Sequence, residues 1–176
     1  MLGHGAGGGV TARDLVTATE AARAEQISVA LIEQPYRVAG RRSPAPAHHL
    51  DAAWIAIVAA LRARELAGLT VITGGRSSGA RVACRTADET GAAGVLCLAF
   101  PLAPPRRAGS KPAPSRITEL DAVRVPMLIV QGERDPFGMP PARKGRTVVR
   151  VSADHALRTD LDSVGAAVRK WLDGLT

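Results

Sequence analysis

The chain has 176 residues, 46% hydrophobic and 22% charged, which allows a single domain over 1–176 with a buried core and excludes general disorder. A net charge of +7 comes from 20 Arg and 3 Lys scattered among 32 Ala, and aromatic residues make up 3%; without a stacking platform or a helix-turn-helix, zinc or RNP pattern, specific nucleic-acid binding is not expected. Apolar runs such as 52–61 and 94–102 fall short of the roughly 20 residues of a membrane span, and no basic-then-apolar leader opens the chain, so a cytoplasmic protein away from membranes is expected.

Short apolar runs alternate with longer helical stretches and no internal repeat is evident, the pattern of a parallel sheet wrapped by helices. Thr11 is placed to cap a helix over 11–24, with Asp14 at N3 and Val10 and Leu15 at the staple positions. Residues 26–32 read as a strand ended by Pro35, and 36–47, with Arg41, Arg42, Pro44 and Pro46, as an exposed loop. A helix over 48–66 sets Leu50, Trp54, Ile57 and Leu61 on one side, and Gly68 ends it. Next come a short buried strand at 69–73, a helix at 78–90 closed by Gly91, and a strand at 94–100. Five prolines and three basic residues make 101–115 a loop. Residues 117–122 suggest a short helix. Residues 126–130 and 146–151 read as strands, the second rich in β-branched side chains. The last helix, 162–175, buries Val164, Val168, Trp171, Leu172 and Leu175. The expected architecture is α/β: three layers, α/β/α, around a mostly parallel sheet of five strands. One strand is expected to be missing, because only Met1 and Leu2 precede the glycine-rich run 3–9.

The first chemical motif is Gly75-Arg76-Ser77-Ser78-Gly79, a G-x-S-x-G that follows an apolar run and opens a helical pattern. With 18 Gly and 8 Ser, chance would supply about 0.08 such matches in the chain, so the strand–turn–helix setting matters more than the pattern alone. A sharp turn there pushes the hydroxyl of Ser77 outward. Gly75 and Gly79 lack side chains where strand and helix crowd, and Ala80 and Ala83 let the helix lie close to the sheet. The N–H of Ser78 faces a developing oxyanion. An ordinary turn rich in small residues is the plainer alternative.

A serine nucleophile needs a base, and the base an orienting acid. Of His4, His48, His49 and His155, only His155 directly follows a predicted strand at the sheet's C-terminal edge. His48 and His49 read as a solvated helix start. Asp135 follows the strand 126–130; Glu133 and Asp154 are its rivals, Asp154 ranking lower because neighbours in sequence diverge. The order Ser77, Asp135, His155 is that of α/β-hydrolases. The run Gly3-His4-Gly5-Ala6-Gly7-Gly8-Gly9 lets backbone approach a substrate carbonyl, with Gly5, Ala6 and Gly7 forming the oxyanion loop and His4 orienting it. A phosphate loop drawn through Gly3, Gly5 and Gly8 lacks both a preceding strand and a persuasive acidic partner, and a floppy tail is the plain alternative. Cys84 and Cys97 read as reduced core thiols, with no His at metal-ligand spacing.

These motifs resemble the α/β-hydrolase superfamily in its small dienelactone-hydrolase-like branch. They are most similar to the group that includes a testis-expressed hydrolase-like protein and a subunit of the NSL histone-acetyltransferase complex. The resemblance runs over nearly the whole chain. It rests on residues 2–7, Glu33-Gln34-Pro35-Tyr36, 74–83, Phe100-Pro101-Leu102, the run Gln131-Gly132-Glu133-Arg134-Asp135-Pro136-Phe137-Gly138, and Asp154-His155. It implies Ser77 as nucleophile, Asp135 as orienting acid and His155 as base. Members carry a full strand before the glycine loop, and part of the group is scaffold and not enzyme.

The expectation is a serine hydrolase acting on a small ester or related acyl substrate, with no metal or organic cofactor implied. The alternative is a non-catalytic scaffold that keeps the fold. Loops 36–47 and 101–115 are expected to border an open pocket. Arg37, Arg41, Arg106 and Arg107 read more naturally as solvated surface than as contacts to an anionic substrate. A homo-oligomer stays open.

Overall fold

Apolar side chains alternate between the two faces of the central strands, and this alternation builds the layers. The computed structural model describes residues 1–105, 109, 111 and 113–175. Among them, β1 (Leu2–Gly3), β2 (Leu31–Ile32), β3 (Ile72–Arg76), β4 (Gly94–Leu98), β5 (Met127–Gly132) and β6 (Arg146–Val151) form one sheet. Its order is β2-β1-β3-β4-β5-β6, and every pairing is parallel. The helices are α1 (Arg13–Ala24), α2 (Pro35–Val38), α3 (Ala47–Arg62), α4 (Ser78–Arg85), α5 (Ile117–Asp121) and α6 (Leu161–Asp173).

Leu96 and Leu98 of β4, with Leu128 and Val130 of β5, pack under α1 and α6 through Leu15, Ala18, Val164 and Val168. Their neighbours Val95, Cys97, Met127 and Ile129 face the other way, onto α4 and α5. A third cluster seats Leu50, Trp54 and Val58 of α3 against Val82 of α4 and Tyr36 of α2. Leu98, Phe100, Leu128 and Ile129 are at most 1% exposed, and full burial of such side chains contributes about 1.5–3 kcal/mol each. The β4–β5 pair is therefore the strong centre of the sheet.

The strand expected to be missing is present, but only two residues long. Leu2 and Gly3 pair with Leu31 and Ile32 on one side and with Gly74 and Gly75 on the other. The sheet therefore has six strands, not five. The strand expected over 26–32 shrinks to Leu31–Ile32, matching the two-residue β1 with which it pairs, and Gln26 takes a left-handed φ of 60°. The strand expected at 69–73 lies later, at Ile72–Arg76, and Leu69 is exposed. Its glycines are strand residues and not breakers: a methyl on Gly74 would strike the Leu96 carbonyl of the neighbouring strand. The α1 cap also differs. The helix starts after Ala12 with no side-chain cap, and Asp14 turns inward to a partner described below. Pro35, read as ending the preceding strand, opens α2, which runs into the segment read as loop. α3, α4 and α6 end at Arg62, Arg85 and Asp173, short of their expected ends.

β1 runs into the glycine loop, and β2 and β3 lie on opposite sides of it. The sheet order reverses there, and in open α/β sheets the crevice at the strands' carboxyl ends at such a point is the binding position.

Candidate active site

The turn from β3 into α4 holds Ser77 at φ 52° and ψ −107°, torsions that cost a residue with a side chain of the order of 1–3 kcal/mol. Tight surroundings hold it there. A methyl on either Gly75 or Gly79 would collide with the Gly3 carbonyl, so β1, β3 and α4 meet only because these positions lack side chains. The Ser77 N–H donates to the Leu98 carbonyl at 2.9 Å. The resulting turn leaves the serine half-buried, with Oγ 2.9 Å from His155 Nε2.

His155 comes from the loop after β6. That loop lies on the end of β5, where a methyl on Gly132 would come within 2.5 Å of the Ala153 and Asp154 carbonyls. Its Nδ1 is 2.8 Å from Asp135 Oδ2. The Asp135 side chain is 1% exposed and that of His155 18%, so the acid is sealed while the imidazole borders solvent. A carboxylate beside Nδ1 fixes the proton on that nitrogen and leaves Nε2 free to accept from the serine. The Phe137 ring packs at 4.3 Å from the imidazole.

Asp135 is tightly held. Its Oδ1 accepts the Phe137 N–H at 2.9 Å and its Oδ2 accepts Gln131 Nε2 at 2.8 Å. The same Gln131 amide reaches the Phe100 and Gly138 carbonyls at 3.1 and 2.9 Å. Sequence reading gave Gln131 no role. The available signal was an amide in the otherwise apolar strand run Met127–Val130, four residues before Asp135. Glu133 is exposed, and Asp154 spends its Oδ1 on the Ala156 N–H of its own loop. Neither rival meets His155 in any described bond.

The glycine loop lies beside the serine, with a Cβ built on Gly5 at 3.3 Å from Ser77 Cβ. The fully buried ring of His4 spans the loop. Its Nε2 accepts the Gln34 N–H at 2.9 Å, so its Nδ1 carries the proton and donates to the Gly5 carbonyl at 2.8 Å. Tyr36 donates its O–H to the Ala6 carbonyl at 3.1 Å, and burial raises that phenol above its ordinary pKa, which keeps it a donor. With these carbonyls tied, planar trans peptides point the N–H groups of Ala6 and Gly7 the opposite way. Ser78 is the first residue of α4, where an N–H has no acceptor within its own helix.

The remaining candidates lie elsewhere. His48 and His49 are exposed at the start of α3, with ring centroids 4.2 Å apart. Arg37 and Arg41 are exposed, and Arg106 and Arg107 fall outside the described residues. Cys84 and Cys97 are buried with sulfurs 3.5 Å apart. The hydrogen bond to Cys97, burial and the nearby Cys97 and Glu119 raise the Cys84 thiol well above its ordinary range against the opposing pull of Arg85, so it stays protonated and poorly nucleophilic. Among the described residues no His, Cys, Asp and Glu cluster is arranged for a metal, and no helix is long and apolar enough to cross a membrane.

The model of an alpha/beta hydrolase domain matches residues 1–161. An α/β serine hydrolase without a lid from Xanthomonas campestris superposes with a TM-score of 0.75 at 18% identity, over 98% of this chain and 80% of that one. An α/β serine hydrolase homologue from Coxiella burnetii gives 0.72 at 14% identity, over 97% and 84%. Est1E of Butyrivibrio proteoclasticus, in a structure with ferulic acid bound, gives 0.69 at 18% identity, over 98% and 87%. No curated protein matches the chain. The solved structures share the fold, and the domain match over most of the length gives the kinship: the chain belongs to the α/β-hydrolase family.

Proposed function

We propose that the chain, acting as one domain over 1–176, is a serine hydrolase of small esters or related acyl compounds, with Ser77 as nucleophile, His155 as base and Asp135 as orienting acid. One observation carries the reading. A continuous path of 2.9 and 2.8 Å joins a serine in strained torsions to an imidazole and then to a buried carboxylate. A structural turn has no need of that strain, and a structural histidine has no need of an acceptor nitrogen aimed at a hydroxyl.

In the first half-reaction Ser77 Oγ attacks the substrate carbonyl carbon while its proton passes to His155 Nε2. The new imidazolium is stabilised by Asp135 Oδ2, and the N–H of Ser78 with that of Ala6 or Gly7 receives the oxyanion. The C–O bond to the leaving group breaks as Nε2 returns the proton to it. Water then repeats the sequence on the acyl-enzyme, with His155 again the base, and releases the acid and free Ser77. The ferulic acid held by Est1E is the kind of carboxylic acid such a cycle releases. The motif resemblance to the dienelactone-hydrolase-like and NSL-subunit group stands beside this reading and is consistent with a short, open site.

Replacing the nucleophile is the test. Ser77→Ala retains the fold and lowers hydrolysis of p-nitrophenyl acetate by roughly 10³-fold or more, and a fluorophosphonate probe labels the wild type but not the variant. Equal turnover by both would remove Ser77 as nucleophile, and a wild type that neither turns over the ester nor takes the label would leave the scaffold reading.

A further inference from the structure

Arg76 stands immediately before Ser77 and its side chain is 15% exposed. Its Nε lies 3.1 Å from Asp14 Oδ2 in the first turn of α1, and its Nη2 donates to the His155 backbone carbonyl at 3.0 Å. Its Nη1 lies against the glycine loop, 2.7 Å from where a methyl on Gly5 would stand. One planar group therefore touches the helix after the glycine loop, the glycine loop itself and the loop of the base, from a residue next to the nucleophile.

We infer that Arg76 is a positioning residue for His155: its guanidinium pins the loop that carries the imidazole at a fixed distance from the serine turn, with Asp14 as counter-charge. The inference rests on the serine-hydrolase reading. The imidazole is tied to Asp135 through Nδ1 and to Ser77 through Nε2, but both bonds end on the ring and neither fixes the backbone that carries it. The bond from Arg76 to the His155 carbonyl supplies a fixed point on that backbone. An ion pair that served only to join β3 to α1 would need Asp14 and nothing more; the contact to His155 goes beyond it. Arginine suits the task because its rigid fork donates in several directions at once, whereas a lysine offers one compact ammonium. Asp14 is held for this pairing by the Leu15 N–H at 2.9 Å. Burial pushes its carboxyl above the ordinary range and Arg76 pulls it back, so each buried charge depends on the other.

The experiment uses the full chain with p-nitrophenyl acetate and reads kcat, KM, thermal midpoint and the downfield Nδ1 proton resonance of His155. Arg76→Met is expected to lower kcat roughly 10²-fold with KM within about twofold, and to lose the resonance. That variant strands Asp14 as a buried charge and loses stability for this reason as well. The pair Asp14→Leu with Arg76→Leu removes both charges and is expected to regain the midpoint but neither kcat nor the resonance. Arg76→Lys is expected to regain the midpoint and only a minor part of kcat. Recovery of kcat together with the midpoint in the double variant would reduce Arg76 to a structural ion pair, as would unchanged kcat and resonance in Arg76→Met. If the wild type shows no Ser77-dependent turnover, the hydrolase reading fails, and the resonance, which needs no substrate, decides the positioning role by itself.

Discussion

Ser77 occupies torsions that residues with side chains avoid, and the surrounding turn holds it there with its hydroxyl beside an imidazole. The acid shows the same pattern of local cost and local support. Asp135 is sealed from solvent, where unfilled lone pairs on a carboxylate cost free energy. Gln131 occupies one of them while bridging two backbone carbonyls. Gln131→Leu keeps the volume and deletes all three contacts. It is expected to lower kcat/KM by roughly 10-fold, by analogy with the loss of outer-shell partners elsewhere, and to lower stability by about 1–3 kcal/mol through the stranded Phe100 and Gly138 carbonyls. Ester kinetics and denaturant titration check the two parts, and unchanged kinetics would mean that Asp135 holds its place unaided. At this scale the sequence was partly legible. Ser77, Asp135 and His155 each follow a strand, so their gathering at one sheet edge could be read from order alone. Arg76, Asp14 and Gln131 could not be assigned this way: Arg76 reaches partners 62 and 79 positions away, and no local pattern encodes such a contact.

Between elements, the site depends on how closely three backbones approach. β1 and the turn into α4 meet where Gly75 and Gly79 both face the Gly3 carbonyl. No rotamer relieves a clash between a Cβ and a backbone oxygen, so the helix itself must move. Gly79→Ala is therefore expected to cost about 3 kcal/mol or more, at the upper end of overpacking effects, and to displace α4 together with Ser77. Gly7→Ala is the control, since nothing lies within 4 Å of the added methyl. Equal melting temperatures for the two variants would contradict the crowding. The same closeness explains where the reading of elements slipped. Glycines at 74 and 75 looked like the end of a strand, yet they lie inside β3 because neighbouring chains press on them. The helix at 162–175 and the strand at 146–151 were legible to within a residue or two, because amphipathic period and β-branching act locally. The two-residue β2 was not: its pairing is set by Leu2 and Gly3, 29 positions away.

Across the whole molecule, the sheet is uneven. From β3 to β6 the ladder is continuous, and it is deeply buried at β4 and β5, whereas its connection to β2 passes only through Leu2 and Gly3. Stability within a protein follows such local differences in burial and pairing. Amide protons of residues 31–34 are expected to exchange at least roughly 10²-fold faster than those of 95–98 and 127–130, as followed by hydrogen–deuterium exchange. Equal protection would show that α3 clamps β2 as firmly as the central ladder does.

The narrow β1 has a consequence for chemistry as well as for strength. Both ties that aim the glycine loop, Gln34 N–H to His4 and Tyr36 O–H to Ala6, start from the β2 side of that connection. On the proposed reading, loosening there would disarm the oxyanion donors while Ser77, His155 and Asp135 stayed assembled on the sturdier half. Gentle warming or dilute urea would then silence turnover well before the helices melt, and cooling would bring it back.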